Sequence, residues 1–250
     1  MGLMHCSFMS EVLMRECSMN VFVPEKPHSD GKPGFPVVYL LHGRSDNYSA
    51  YVDHGVCALC KKYEFIVVMP DGARSFYSNM KCGQRYWDFI SEELPRLVQT
   101  MFPIRQDRAS TFAAGLSMGG YGALKLGLRC PERFGRIGAM SSVADISWVG
   151  RPGGGMSDEE VASIYGSRSG MTGTDDDLFT WLEKPAPACG RPLLKMSCGD
   201  ADFLINDNRE FVKRAQSAGW CVDYSETADI GHCWEFWMAQ LPGIFEFFSK

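Results

Sequence analysis

One pentapeptide constrains this chain more than any other feature. Gly115-Leu116-Ser117-Met118-Gly119 is a G-x-S-x-G placed where a buried strand runs into a helix. Residues 110–114 (STFAA) form a short run suited to a strand, and residues 118–129 carry helical spacing. The turn between them is so tight that side chains at the glycine positions would collide with neighbouring backbone. Gly120 and Gly122 add room for the helix to pack on a sheet. The geometry lifts the serine hydroxyl above the sheet edge. A glycine-rich turn with an incidental serine is the plain alternative, and the strand-then-helix context weighs against it.

The rest of the chain is patterned to carry such a turn. Residues 37–41 (VVYLL) and 65–69 (FIVVM) are short apolar runs, the pattern of strands buried on both faces. Residues 134–141, 193–197 and 221–225 complete the predicted core strands. Helical periodicity lies between them, near 56–63, 87–102, 118–129, 207–218 and 234–248. Residues 6–23 read as an edge hairpin, while 26–36 and 73–86 read as loops. Strands alternating with helices predict an α/β fold with a mostly parallel sheet covered on both faces. Residues 146–190 break the alternation. They hold a Gly153-Gly154-Gly155 run, an acidic helix start at Ser157-Asp158-Glu159-Glu160, and Thr174-Asp175-Asp176-Asp177 before LFTWL. This predicts a cap insertion with two short helices inside one domain of residues 1–250. In such sheets ligands bind beyond the carboxyl ends of the strands, so the cap is placed to act as lid or pocket wall.

Composition narrows the function classes. Hydrophobic residues make up 45% and charged residues 22%, the mix of a globular domain with a substantial core. A net charge of -5 argues against nucleic acid or an anionic membrane as partner. No apolar run reaches the roughly 18 residues of a membrane span. The start, MGLMHCSFMSEVLMRE, lacks a signal-peptide pattern. The ten cysteines are expected to be mostly buried thiols in a reducing cytoplasm. Cys57 and Cys60 form a CxxC without the second ligand pair or redox context that would give it a role.

A serine hydroxyl needs a base within hydrogen-bond reach, and that base needs an orienting carboxylate. On a strand–turn–helix scaffold the chain order is Ser, then Asp or Glu, then His. Of His5, His28, His42, His54 and His232, only His232 comes after the last predicted strand, in a loop just before the final helix. The carboxylate is expected after the strand at 193–197, in Cys198-Gly199-Asp200-Ala201-Asp202-Phe203-Leu204. Asp202 is preferred and Asp200 is its rival. Asp207 reads as a helix N-cap. Phe203 and Leu204 are expected to anchor the Asp202 backbone and limit water around its carboxylate. A tetrahedral oxyanion needs preorganised N–H donors. The amides of Met118 and Arg44 are the candidates, with Gly43 shaping the turn and His42 a structural residue. Phe76, Tyr77, Trp87, Trp148 and Trp181 are candidate pocket aromatics, with Gly43, Tyr77 and Trp148 the choices for substrate contact. Arg85 and Asp88 read as a structural ion pair. No HxxH or HExxH pair is present, so no metal is expected.

Six stretches carry a family resemblance: LLHGRSDN, MPDG, RYWDFISEELPRLVQTMFP, TFAAGLSMGGYGALKLGLRCPERFG, CGDADFLINDNREF and DIGHCWEFW. Together they resemble the tributyrin-esterase branch of the esterase D family over about residues 10–248, most specifically in GLSMGGYGALKL and GHCWEFW. The resemblance implies the α/β-hydrolase fold and a serine carboxylesterase acting on short-chain acyl esters, acetyl to butanoyl. It implies Ser117, Asp202 and His232 as catalytic triad, no cofactor, no metal, and a homo-oligomer, dimer or tetramer. The same triad would also serve a thioesterase or acyltransferase of the S-formylglutathione hydrolase kind, or a feruloyl or acetylxylan esterase. The 146–190 segment matches only loosely, so it implies no substrate preference.

Overall fold

Parallel strands buried on both faces need helices on both sides, and the chain supplies them. The computed structural model describes residues 2–26, 28–150 and 155–250. Met1, Pro27 and the glycines at 153 and 154 lie outside these residues. Eight strands form one sheet: β1 (Gly2–Ser10), β2 (Arg15–Val23), β3 (Val37–Leu41), β4 (Ile66–Pro70), β5 (Thr111–Leu116), β6 (Arg136–Met140), β7 (Leu193–Gly199) and β8 (Val222–Thr227). Their order is β1-β2-β4-β3-β5-β6-β7-β8. The hairpin β1–β2 is antiparallel and joins β4 antiparallel, and β4 to β8 run parallel. Every residue of β3, β4 and β5 is buried, as their unbroken apolar runs require.

The helices are α1 (Ala50–Asp53), α2 (Val56–Cys60), α3 (Tyr86–Asp88), α4 (Leu94–Met101), α5 (Met118–Arg129), α6 (Asp158–Tyr165), α7 (Leu178–Leu182), α8 (Ile205–Ser217) and α9 (Trp234–Phe248). Along β3 the side chains alternate between two cores. Val37, Tyr39 and Leu41 belong to the core that holds residues of α4, α5 and α8, while Val38 and Leu40 belong to the one that holds residues of α1, α2 and α9. Among the described residues no helix is long and apolar enough to cross a membrane. Residues 146–190 hold α6 and α7, capped by the Ser157 and Asp177 side chains as their sequences imply.

Register places the strand ends side by side. Leu41 pairs with Gly115, Leu116 with Met140, and Met140 with Ser197. The loops that leave β3, β5, β6 and β7 therefore converge on one edge of the sheet.

Two expectations need correction. The helix expected at 87–102 is interrupted by a π-helical segment at Phe89–Glu93. Pro95 has no N–H to give the Ser91 carbonyl four residues back, and the Arg133 guanidinium donates to that carbonyl instead. The cysteines are mixed. Only Cys17, Cys60, Cys130 and Cys198 are buried, and Cys82, Cys189 and Cys221 are exposed, because several fall in loops and strand ends. Lys125 of α5 is fully buried.

Lys125 is a tether. Its Nζ donates to the Tyr77 carbonyl at 3.0 Å, to Ser78 Oγ at 3.0 Å and to Asp176 Oδ1. It also lies over the rings of Trp87 and Tyr121. One cation thus joins α5 to the 73–86 loop and to the 146–190 segment. Burial pushes its pKa down to about 8, with Asp176 opposing the shift. Lys125→Met should leave Asp176 unpaired and cost on the order of 3–5 kcal/mol in urea unfolding. Between about 8 and the ordinary 10.5 the unfolded chain binds more protons at Lys125 than the folded one. This group therefore makes stability rise with pH across that window, and the variant should lose that rise.

Candidate active site

The turn after β5 is held in a conformation that a serine adopts only under constraint. Ser117 has φ 54° and ψ -117°. Such backbone strain costs on the order of 1–3 kcal/mol and needs its surroundings to hold it. The Ser117 amide donates to the Met140 carbonyl at 2.9 Å, and its own carbonyl accepts from Tyr121 and Val143. Space comes from the glycines. A Cβ on Gly119 would lie 2.0 Å from the Leu41 carbonyl oxygen, and one on Gly115 would lie 2.3 Å from the Gly119 backbone.

His232 and Asp202 stand in line with this serine. His232 Nε2 is 3.0 Å from Ser117 Oγ, and Nδ1 is 2.8 Å from Asp202 Oδ2. Asp202 is buried and its other oxygen accepts the Leu204 amide at 2.9 Å. Burial pushes the Asp202 carboxyl up, but the hydrogen bond and charge of His232 and the Leu204 amide outweigh it, so its pKa is lowered. An ionised Asp202 holds the proton on Nδ1 and leaves Nε2 free to accept from the serine. Trp237 meets the imidazole edge-on with ring centres 4.8 Å apart, and Phe203 lies 4.6 Å away on a tilt.

The rival carboxylates have other work. Asp200 Oδ1 accepts the Asp229 amide at 2.8 Å and so joins the acid loop to the histidine loop. Gly199 permits the same approach, since a Cβ there would lie 2.0 Å from the Ile230 carbonyl oxygen. Asp207 is not the N-cap expected of it. Leu204 holds that position, and Asp207 sits in the first turn of α8, where a carboxylate favours the helix dipole.

Met118 opens α5, so its amide has no intrahelical acceptor and lies next to Ser117. Arg44 lies in the loop after β3, alongside the same turn. His42 is buried and shapes that loop. Its Nε2 accepts the Gly72 amide at 2.9 Å, so its proton sits on Nδ1, 2.7 Å from the Gly43 carbonyl. Gly43 keeps the space in front of the serine open, because a Cβ there would lie 2.8 Å from Leu116 Cδ1.

Above these groups lies a cavity of about 500 Å³ lined by Ser117, His232, Gly43 and Arg44 and walled by Phe76, Trp148, Val149, Phe203, Trp234 and Trp237. Trp148, from the 146–190 segment, stacks on Phe203 with ring centres 5.2 Å apart. Three expected aromatics are elsewhere. Tyr77 does not reach the cavity: its ring is buried against Gly72 and Gly122, and its hydroxyl donates to the His42 carbonyl at 2.9 Å. Trp87 and Trp181 pack on Arg129. Phe203 is not buried behind Asp202 but 59% exposed at the cavity rim; Leu204 is the buried anchor. Sequence reasoning missed Trp234 and Trp237. Their i, i+3 spacing at the start of α9, directly after His232, is the signal that points both toward the site. Arg85 and Asp88 form the expected ion pair, which the Asn79 side chain extends. Among the described residues no group of three or more His, Cys, Asp or Glu is placed to hold a metal ion.

Comparison with known proteins places the chain in a family. Residues 10–248 match the Esterase family. An acetyl esterase of Caldicellulosiruptor saccharolyticus is 31% identical over 264 residues, which cover 100% of this chain and 99% of the relative. A diacylglycerol acyltransferase/mycolyltransferase, Ag85B of Mycobacterium intracellulare, is 27% identical over 86% of this chain and 74% of its own. The solved structure of FphF, a fluorophosphonate-binding serine hydrolase of Staphylococcus aureus, superposes with a TM-score of 0.90 at 25% identity, covering 100% of this chain and 98% of that one. The S-formylglutathione hydrolase FrmB of Staphylococcus aureus shares the fold, with a TM-score of 0.87 at 24% identity over 100% of this chain and 99% of that one.

The two aspartates of the acid loop separate by substitution. Asp202→Asn should leave folding nearly intact but slow reactions through Ser117 by about ten-thousand-fold, the cost of a misoriented imidazole tautomer. Asp200→Asn should have a much smaller effect. Rates of fluorophosphonate labelling, at matched thermal stability, test the ranking, and the reverse order would move the acid to Asp200.

Proposed function

This chain belongs to the Esterase family, has the α/β-hydrolase fold and is a carboxylic ester hydrolase; from that premise we propose that it works through an acyl-enzyme on Ser117, with His232 as general base and Asp202 as its orienting acid. The observation that carries this reading is the unbroken line Ser117–His232–Asp202, at 3.0 and 2.8 Å, on a strained turn. His232 takes the serine proton as Oγ attacks the ester carbonyl carbon. The carbonyl oxygen becomes an oxyanion that the amides of Met118 and Arg44 receive. Collapse breaks the bond to the leaving alkoxide, which His232 protonates. Water then enters, gives its proton to His232 and releases the acid, restoring the serine.

The acyl group we assign is short, acetyl to butanoyl. Support comes from the acetyl esterase relative and from the bulky walls of the cavity, where Trp148 and Val149 of the 146–190 segment close one side. We read that segment as a cap on the site. A second reading keeps the triad and changes the acceptor to an alcohol, as the name of the mycolyltransferase relative implies for that protein, or the leaving group to a thiol.

Ser117→Ala should lose on the order of a million-fold in kcat. A fluorophosphonate should label Ser117 and no other serine. Wild-type rates in the variant, or labelling elsewhere, would overturn the assignment. Among p-nitrophenyl esters, acetyl to butanoyl should be turned over fastest. Each methylene in an apolar pocket is worth only about 1–3 kcal/mol, so preference should fall gradually unless a wall stops it. Faster turnover of dodecanoyl than butanoyl esters, at matched solubility, would refute the short-chain reading. Partition of a trapped acyl-enzyme between water, alcohols and thiols decides between hydrolase and transferase.

A further inference from the structure

The backbone of Arg44 has a place in the chemistry above, but its side chain does not. Arg44 lines the cavity and is half-buried. Among the described residues its guanidinium takes no hydrogen bond and no ion pair. Burial lowers its pKa, and the nearby charge of Arg74 adds to that. The one carboxylate whose charge opposes the shift, Glu160, is committed elsewhere: its Oε1 lies 2.8 Å from Arg74 Nε and 2.7 Å from Arg74 Nη2. Arg44, Arg74 and Glu160 thus carry one net positive charge between them, on a chain whose net charge is -5. The guanidinium is also confined. The backbone at Gly155 runs against it, and a Cβ there would lie 2.7 Å from Arg44 Nη2. The other carboxylates lining the cavity, Asp46 and Glu235, form no ion pair with it, and Glu235 faces the charge of His54 instead. A half-buried, confined guanidinium with no ion-pair partner among the described residues, beside a nucleophile, is suited to receive a planar anion, since its fork of N–H donors matches a carboxylate.

We propose that the Arg44 side chain binds a free carboxylate carried by the ester substrate, so that the protein prefers anionic esters over neutral esters of the same shape. The proposal deepens the esterase reading and rests on it. Charge-assisted hydrogen bonds to a partly desolvated arginine contribute about 1.5–3 kcal/mol, roughly tenfold or more in kcat/KM.

The test uses two pairs of probes that differ only in charge. For the leaving-group side the pair is 4-acetoxybenzoate and 4-acetoxybenzamide. For the acyl side it is monomethyl glutarate and methyl glutaramate. The readout is the ratio of kcat/KM, acid over amide, in wild type, Arg44→Met and Arg44→Lys. Damage to the oxyanion amide lowers both members of a pair alike and cancels in the ratio. The expected result is a wild-type ratio of about ten in at least one pair at low salt. It should fall to about one in Arg44→Met, be partly kept in Arg44→Lys, and shrink as sodium chloride is added. A wild-type ratio near one in both pairs, or a ratio unchanged in Arg44→Met, overturns the proposal while leaving the esterase reading intact. Turnover of none of the four esters by folded wild-type protein counts against the esterase reading, and the proposal falls with it.

Discussion

The contact between Gly119 and the end of β3 is the constraint on which the rest of this structure depends. A Cβ on Gly119 would sit 2.0 Å from the Leu41 carbonyl oxygen, so no other residue lets α5 start where it does. That start forces Ser117 out of the ordinary backbone basins, to φ 54°. The strain is held by backbone hydrogen bonds that reach Met140, Tyr121 and Val143. It is also what aims the hydroxyl away from the sheet, toward the loops after β7 and β8. The same contact brings the loop after β3 alongside the amide of Met118, so Ser117 and the amides proposed to receive the oxyanion are positioned by one close approach.

A second approach of the same kind organises His232, the proposed base. The loops after β7 and β8 are laced together by backbone contacts at Gly199, Asp200 and Ala201, which meet Thr227 and Ile230. Asp200 reinforces the lacing through the Asp229 amide. Asp202 and His232 are then carried by what is in effect one rigid double loop, which is why a 2.8 Å contact between them survives on irregular backbone. Trp237 and Phe203 flank the imidazole, so its orientation is set by packing as well as by the carboxylate.

The 146–190 segment belongs to the site through two separate links. Trp148 stacks on Phe203 at the cavity rim, and Asp176 takes the buried ammonium of Lys125. The first link walls the cavity. The second anchors the segment to the helix that begins after Ser117, so the cavity wall and the elbow are fastened to one element.

The sequence by itself determined the features that short-range rules govern. The strand and helix periods, the glycines of the elbow and the order Ser, Asp, His along the chain are local patterns, set by steric clash and by the alternation of apolar residues. Helices α5 and α9 lie where their periodicity puts them, at Met118–Arg129 and Trp234–Phe248. What only the tertiary structure decided depends on residues far apart in the chain meeting in space. Asp202 and Asp200 are two residues apart in one loop, and the separation of their roles comes from His232 and Asp229, about thirty residues on. The partners of Lys125, Asp176 and Ser78, come from other parts of the chain and are set by the fold alone. Tyr77, expected at the cavity, lies in the floor beneath it, and Trp234, which the sequence reading missed, stands in its wall. Aromatic character is legible in a sequence, but the direction a ring faces is set by the packing of elements that lie far apart along the chain.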